Sequence, residues 1–417
     1  MSRSKWKVAS LLCVLSLVFM AACGASSSDS DASGSGSENE SATGEKVTLE
    51  LWHYWADNLE AVLKEYVEEF NQSQSDSEIE LTYVPYSELT NQLLVSATSG
   101  DVPDLIIGGI NEVQMYAQSG VLEDITAQVN ESGIAEQMYE NLRDIHQLDG
   151  KFYGLPLHTN AVALFYNTDL IEEPPVTWDE LKTVAKESTA DGQYGFAASA
   201  HNSQHGTASW IPFLWSTGYD VDRLDSPEAV RALALWQEMV EEGSMSKEVV
   251  NKELQDISAD FYTGKVAMMI GGSWMIPTLE SEAPDLNWAV AQIPKDKEHT
   301  SVVGGESIAI GKGQNVEAAW TFIEWMLETD RQVEWAKAMG NFPITSEAAS
   351  DSYFQDDETL KVFVDIIETS QGYGWGENHN EINSAIYTAL QDVLAGGLSP
   401  EEALRKASET VEPLLEQ

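Results

Sequence analysis

The feature that most constrains this chain is a regular alternation between short apolar segments and amphipathic segments with a helical period. Apolar and polar residues alternate over 47–51 and 79–83, and helical patterns follow them at 59–70 and 89–97. A continuous apolar run comes next at 104–107. Because a buried parallel strand has such a run, this order predicts a β-α-β-α-β unit.

The carboxyl ends of parallel strands lie at one edge of a sheet, which is where open α/β sheets bind ligands. Residues 52–57 and 108–112 follow two of these strands, so we expect both segments at one rim of a binding site. Asp57 with Glu60, and Thr177 with Glu180, have the spacing of a capping box and predict the starts of two helices.

The rest of the chain continues the mixture of strands and helices. Strands are predicted at 152–157, 162–166, 266–270 and 289–293, and helices after Thr177, at 227–242, 316–327, 329–339 and 382–394, and from 399 onward. No repeat with a period of about 20 to 50 residues occurs, which argues against a solenoid or a propeller.

Length and charge narrow the class further. The chain has 417 residues, enough for roughly two or three domains. Its 69 acidic residues against 22 basic ones give a formal charge of −47. Such a surface repels phosphodiesters, so the composition argues strongly against sequence-independent nucleic-acid binding.

The amino terminus predicts export. Residues 1–22 combine a basic start, an apolar run and small residues, which is the pattern of a signal peptide. Cys23 follows directly, and the segment resembles the lipobox of bacterial lipoproteins, which implies that Cys23 carries a lipid anchor. An ordinary leader with a chance cysteine is the alternative. Cys13 lies in the leader, so we expect no disulfide.

Residues 23–45 are rich in Ser, Gly and acidic residues and contain no aromatic or large aliphatic side chain. This composition predicts a flexible linker that holds the folded body near the extracytoplasmic face of the cell membrane.

Several motifs, taken together in their order and spacing, resemble the extracellular solute-binding proteins of ABC importers, in particular the carbohydrate-binding group that includes maltose-binding protein. They are GDVPDL at 100–105, YAQSGVL at 116–122, GLP at 154–156, YN at 166–167, PVTWDEL at 175–181, GKVAM at 264–268, GGSW at 271–274, GGE at 304–306 and FP at 342–343.

The resemblance implies a two-lobed α/β fold of the periplasmic-binding-protein type, with the ligand in the cleft between the lobes. Each lobe would be a mainly parallel sheet flanked by helices. On this template one lobe spans 46–158 plus 297–343, and the other spans 159–296 plus 344–417.

Aromatic residues near predicted strand ends and glycines are the first candidates for the ligand site. Trp274 follows two glycines and matches the stacking tryptophan of the family. Tyr54 and Trp55 lie in the first rim loop, and Trp375 lies between two glycines. An aromatic ring can cover the flat C–H face of a sugar, although each of these residues could instead pack in a lobe core. The core is the prediction for Trp178, Trp236, Trp320, Trp325 and Trp335.

The polar candidates are Asn160, Asn111, Glu306 and Asp57. Asn160 falls where the family places a hydrogen-bonding side chain at the crossing between lobes, and Asn111 lies on the rim after the third strand. An Asn at a turn can bind backbone instead, and Glu306 could pair with a base.

Two positions depart from the maltose-binding pattern. Gly108 stands where that pattern has an aromatic residue, and Glu112 stands in place of a basic one. Maltose itself is therefore not implied.

The sequence contains no recognisable pattern of catalytic residues. The carboxylates are too numerous to mark a glycosidase pair, and the most closely spaced histidines, His201 and His205, lie in a polar loop. Neither a phosphate-binding glycine loop nor a G-x-S-x-G turn is present. We expect no enzyme activity, metal or cofactor.

We therefore expect a monomeric, lipid-anchored binding protein that captures a mono- or oligosaccharide by hinge closure and delivers it to the transmembrane subunits of an ABC permease. Two alternatives stay open. One is the same fold binding a non-sugar solute such as a polyamine, and the other is a cell-surface glycosidase or lectin.

Overall fold

The structure is a computed structural model that describes residues 46–313 and 315–415. The predicted signal peptide, the linker and Cys23 lie outside the described residues. Across the described part of the chain, every helix falls short of the length and apolar character needed to cross a bilayer.

The strands are short, and most of them follow the predicted apolar segments. They are β1 (Val47–His53), β2 (Ser77–Tyr83), β3 (Leu105–Gly109), β4 (Gln147–Leu148), β5 (Lys151–Phe152), β6 (Leu155–Pro156), β7 (Asn160–Asn167), β8 (Tyr194–Ala197), β9 (Val266–Gly272), β10 (Trp288–Ala291), β11 (Val303–Gly304) and β12 (Glu306–Ile310).

The helices flank these strands and dominate the last third of the chain. They are α1 (Asp57–Ser73), α2 (Tyr86–Ser99), α3 (Val113–Gln118), α4 (Thr126–Ser132), α5 (Glu140–Ile145), α6 (Trp178–Glu187), α7 (Gln204–Trp215), α8 (Pro227–Glu242), α9 (Leu254–Tyr262), α10 (Ile276–Glu282), α11 (Val316–Met326), α12 (Thr329–Met339), α13 (Ser346–Ala349), α14 (Ser352–Gln355), α15 (Glu358–Thr369), α16 (His379–Leu394) and α17 (Pro400–Leu415).

The first sheet contains the predicted β-α-β-α-β unit. Its strand order is β2-β1-β3-β12-β6, with β1 parallel to β2 and β3. Strand β12 enters from more than 190 residues later in the chain and pairs antiparallel with β3 and β6. Apolar clusters cover both faces of this sheet, as expected for strands whose residues are buried on both sides.

The second sheet has the order β10-β7-β9-β8. Among the strand pairs of this sheet in the described residues, only β8 and β9 run parallel, since β7 pairs antiparallel with β9, β10 and β11. The two-lobed α/β fold is confirmed, but the expectation of a mainly parallel sheet is wrong for this lobe. The reason is that β7 runs from the first lobe into the second, whereas β8, β9 and β10, which follow it, run in the opposite direction.

Three chain segments cross between the sheets, and they bind one another. The Thr159 and Phe342 backbones exchange two hydrogen bonds of 2.8 Å. The Leu157 N–H donates to the Glu306 carbonyl at 2.8 Å, and the Thr159 hydroxyl donates to the Gly304 carbonyl at 3.1 Å. These bonds join the segments before β7, between β11 and β12, and after α12 into one narrow connection.

The two predicted capping boxes have different outcomes. The Thr177 hydroxyl accepts from the Glu180 N–H, and the Glu180 carboxylate accepts from the Thr177 N–H, so this box is confirmed. The box at Asp57 is wrong, because Ala56 occupies the N-cap position and Asp57 itself has a φ of 52°. Glu60 pairs with Lys64 instead.

The tryptophans predicted to lie in lobe cores do so. Trp178, Trp236, Trp320 and Trp335 are buried, and Trp325 is half-buried against the core of the first lobe. In the second lobe, Trp236 packs edge-on against Phe213 at 5.5 Å between ring centroids.

His146 is buried between α5 and the first sheet. Its Nδ1–H donates to the Leu142 carbonyl at 2.6 Å, so Nε2 is free to accept from the Ser307 hydroxyl at 2.6 Å. Burial lowers the pKa of His146 from 6.5 to about 4.

This pKa predicts acid destabilisation. Between pH 6.5 and 4 the unfolded chain binds a proton at His146 that the folded protein does not, so the stability present above pH 6.5 falls as the pH drops. The loss should reach roughly 3 kcal/mol for this residue. Denaturant unfolding of the wild type and His146→Gln from pH 4 to 7 measures it. Equal pH slopes for both proteins would contradict the prediction.

Candidate functional site

A cavity of about 540 Å³ lies where the carboxyl end of the first sheet faces the second lobe. The first lobe contributes the loop after β1 and the turn between β3 and α3. The second lobe contributes the start of α7 and the turn after β9. The crossing segments form its floor through Asn160, Gly304, Gly305 and Glu306.

The aromatic candidate Trp274 lies in the cavity wall. Its indole lies over the backbone of Gly272, where an added Cβ would come within 2.1 Å of two ring atoms. The GGSW sequence therefore provides the room that lets this ring lie flat at the end of β9.

Tyr54 and Trp55 also line the cavity, but their surroundings differ. Tyr54 is half-buried, and its ring meets Tyr86 edge-on at 4.9 Å between centroids. Trp55 is only 3% exposed and packs against His158 and Trp335. Tyr54 thus presents the larger accessible surface, and Trp55 mainly supports the cavity floor.

Trp375 is not among the cavity residues, whereas its neighbour Tyr373 is. The two rings stack at 4.7 Å between centroids, so Trp375 lies behind Tyr373. The flanking glycines serve contact within the protein. A Cβ at Gly374 would lie 2.8 Å from the Gln114 side chain, and one at Gly376 would lie 2.4 Å from that of Gln118.

Glu306 is a cavity carboxylate with three hydrogen-bond donors. Its carboxylate accepts from the Tyr54 hydroxyl at 3.0 Å, from His158 Nε2 at 2.5 Å, and from the Trp55 indole. Burial acts to raise the pKa of Glu306, but the interactions with His158, Tyr54 and Trp55 outweigh burial and lower it. Glu306 is therefore held as a carboxylate, and its side chain is 20% exposed to the cavity.

Two amides lie on the cavity surface. Asn160 donates a long hydrogen bond of 3.4 Å to Asn341. A Cβ added at Gly304 would lie only 2.4 Å from Asn160 Oδ1, so this glycine leaves room for the Asn160 side chain. The buried Oδ1 of Asn111 and Nδ1 of His205 have no hydrogen-bond partner among the described residues. Buried polar atoms without partners are costly, so both atoms are suited to bind a polar ligand.

Asp57 is exposed and does not line the cavity. Its left-handed backbone conformation turns the chain into α1 immediately after the cavity loop. Asp tolerates this conformation better than most residues, which gives a backbone reason for its presence.

Glu112 lines the cavity from the turn between β3 and α3. Its carboxylate accepts from the hydroxyls of Tyr86 at 3.3 Å and Tyr116 at 3.1 Å, and from the Gly109 N–H at 3.3 Å. Burial raises the pKa of Glu112 despite these donors. The Tyr116 ring lies 3.3 Å from the position of a Cβ at Gly108, so it fills the space beside this glycine.

Sequence reasoning missed several cavity residues. They are Tyr86, Gln204, His205, Gln255, Met339, Asn341 and Tyr373. Most lie at helix ends whose positions depend on packing between distant segments. The glycines of this segment drew attention to Trp375 in the sequence, whereas Tyr373 is the residue that lines the cavity.

Two α/β lobes with a narrow triple connection and an aromatic, polar cavity between them define a hinged ligand-binding protein. The chain belongs to the family of bacterial extracellular solute-binding proteins, whose family model matches residues 65–362. This finding confirms the family indicated by the sequence motifs.

Individual relatives show how far the similarity extends. The maltotriose-binding protein of Pyrococcus abyssi is 26% identical over 325 residues, which cover 75% of this chain and 70% of that protein. A maltooligosaccharide ABC transporter solute-binding lipoprotein of Streptococcus pneumoniae is 22% identical, covering 78% of this chain and 79% of that protein. The crystal structure of the cyclic alpha-maltosyl-1,6-maltose binding protein of Arthrobacter globiformis matches with a TM-score of 0.79 and 26% identity, covering 89% of this chain and 99% of that one.

The two cavity carboxylates should affect stability with opposite pH dependence. The folded pKa of Glu306 is lowered, so its ionisation stabilises the fold above the unfolded pKa, and this contribution is lost as the pH falls through the folded value. The folded pKa of Glu112 is raised, so its contribution is present below the unfolded pKa and lost as the pH rises through the folded value.

Glutamine variants separate these effects because they do not titrate. Relative to the wild type, Glu306→Gln should be most destabilising near neutral pH, and Glu112→Gln should be least destabilising there. Denaturant unfolding between pH 4 and 8 measures both differences. Parallel curves for the two variants would show that the carboxylates do not titrate as described.

Proposed function

We propose that this protein captures a carbohydrate in the cavity between its lobes and delivers it to an ABC permease. The observation that carries the proposal is the combination of the Trp274 and Tyr373 rings with the Glu306 carboxylate and the amides Asn111 and Asn160 in one cavity. Aromatic faces suit the C–H faces of sugar rings, and carboxylates and amides suit their hydroxyls. The relatives named for maltotriose and maltooligosaccharides support the same ligand class.

The arrangement of charges disfavours the polyamine alternative. Both cavity carboxylates already accept hydrogen bonds from several side-chain or backbone donors of the protein. A dication would need carboxylates left free to pair with its ammonium groups, because an uncompensated buried charge is costly. Sugar hydroxyls need only the acceptor positions that remain.

Hinge closure is the proposed mechanism of capture. Ligand contacts on both lobes form together only in the closed state, so binding shifts the population toward that state by the difference in affinity. The narrow connection formed by the three crossings allows such a motion. The permease would then recognise the closed protein.

A thermal-shift screen tests the proposal. The panel contains glucose, maltose and maltotriose, further mono- and oligosaccharides, and spermidine as the non-sugar solute. A ligand that binds the native state raises the melting temperature, and saturation at about 100-fold above its Kd adds roughly 2.7 kcal/mol. We expect a shift with at least one saccharide and none with spermidine. A shift with spermidine alone, or turnover of a saccharide, would overturn the proposal.

Trp274→Ala should weaken binding of the best saccharide by at least tenfold. The variant loses an aromatic contact worth about 0.5 to 1.5 kcal/mol beyond the buried area, together with the area contribution itself. Calorimetric titration measures the affinity, and denaturant unfolding without ligand measures stability.

Trp288→Ala is the matched control. Trp288 is a half-buried tryptophan of the same lobe that stacks on Phe165 at 5.8 Å and does not line the cavity. It should lose stability and keep its affinity. If Trp274→Ala behaves like this control, Trp274 is a packing residue.

The proposal includes the cellular location of the protein. Cys23 would carry the lipid anchor, and residues 23–45 would let a monomeric body reach the permease from the extracytoplasmic face of the membrane. The Streptococcus pneumoniae relative, named as a lipoprotein, supports this part.

Cys23→Ala should abolish acylation, because only this thiol could form the thioether at the mature amino terminus. The variant should leave the membrane fraction, and radiolabelled fatty acid should no longer be incorporated. Cys13→Ala is the control and should remain lipid-labelled and membrane-bound. Firm membrane retention of Cys23→Ala with unchanged labelling would rule out the anchor.

A further inference from the structure

A chain of hydrogen bonds connects the core of the first lobe to the ligand cavity. The Trp335 indole Nε1–H donates to His158 Nδ1 at 3.0 Å. The other ring nitrogen of His158, Nε2, lies 2.5 Å from Glu306 Oε2. Because an indole N–H can only donate, Nδ1 of His158 carries no proton. The proton must be on Nε2, from where it is donated to Glu306.

The packing around His158 keeps this geometry in place. His158 and Trp335 are fully buried, and the His158 ring stacks on Trp55 at 5.9 Å between centroids. Gly305 has a φ of 125°, and a Cβ there would lie 2.4 Å from the His158 carbonyl oxygen. The glycine therefore lets the His158 and Glu306 segments approach each other closely enough for the side-chain bond.

We propose that His158 is a positioning residue that the Trp335 N–H holds as the neutral Nε2–H tautomer, so that Glu306 faces the ligand as a carboxylate that only accepts hydrogen bonds. This inference rests on the proposed function for the identity of the ligand. The hydrogen-bonding state of His158 is independent of it.

The hydrogen bonds of Glu306 define what the ligand must supply. A carboxylate has about four acceptor positions. Tyr54 uses one on Oε1, His158 uses one on Oε2, and the Trp55 indole uses a third. The remaining position faces the cavity and binds a donor, such as a sugar hydroxyl. A ligand that offers only an acceptor here would be repelled.

Other titratable groups surround Glu306 and must be separated from it in any pH experiment. Tyr54, Tyr86 and Glu112 belong to the first lobe, while His205 and Tyr373 face the cavity from the other elements packed around it. All of them are retained in variants of His158 and Trp335. The difference between a variant and the wild type therefore isolates the His158–Glu306 pair.

The first test needs no ligand. In the full-length chain labelled with ¹⁵N-histidine, the resonances of His158 are identified by their loss in His158→Gln. We expect a protonated Nε2 and an unprotonated Nδ1 in the wild type at pH 7. In Trp335→Phe, which keeps an aromatic ring but removes the donor, we expect a larger fraction of His158 to carry a proton on Nδ1 than in the wild type under the same conditions. A doubly protonated His158 in the wild type near pH 7, or an unchanged Nδ1 in Trp335→Phe, would overturn the inference.

The second test uses the saccharide that gives the largest thermal shift, with Kd measured between pH 5 and 8. His158→Gln can still donate to Glu306 and should bind within about threefold of the wild type. His158→Phe cannot donate, so protonation of Glu306 should weaken its binding at least tenfold more than in the wild type between pH 8 and 5. Because His158→Phe leaves the Trp335 N–H unpaired, the double variant with Trp335→Phe is measured beside it and should give the same profile.

The outcomes separate a positioning role from a packing role. If His158→Phe and the double variant lose affinity by a constant factor at every pH, His158 only fills space and the inference fails. If no saccharide binds the wild type, the proposed function fails, while the NMR experiment still decides the state of His158.

Discussion

The joining of three crossing segments is the constraint on which the rest of the molecule depends. Thr159 and Phe342 exchange backbone hydrogen bonds, and Leu157 binds the Glu306 backbone, so the segments form one small structure between two large cores. These bonds hold the three segments together at the point where β7 enters the second lobe. They also place Asn160 and Glu306 at the cavity floor, so the connection between the lobes and the polar part of the site are built from the same residues.

Much of the fold could be predicted from the sequence because its signals are local. The alternation over 47–107 gave the parallel half of the first sheet, and Thr177 with Glu180 gave a helix start that the structure contains. Strand direction in the second lobe could not be predicted in this way. It depends on where β7 enters, which is a property of the whole chain path.

In the candidate site, too, some residues had a local sequence signal and others depend on packing between distant segments. Trp274 was a candidate for the ligand site, and its ring lies over Gly272 in the cavity wall. The glycines around Trp375 indicated close approach as well, but they serve contact with Gln114 and Gln118, and Tyr373 lines the cavity instead. His205 carried no local signal for a ligand site, because its position results from the packing of α7. The sequence predicts Asp57 as a helix cap, but Ala56 takes the N-cap position and Asp57 has a left-handed backbone conformation.

The pairing of β12 with β3 has a consequence for how the chain acquires its structure. The partners Leu105 and Ile310 are separated by 205 positions, so the first sheet stays incomplete until most of the chain is available. The second lobe likewise packs α16 and α17, the last helices described, against its core. Contacts so distant in sequence slow folding because long loops must close before any stabilisation is gained. A chain organised this way gains much of its native stability only late in its synthesis.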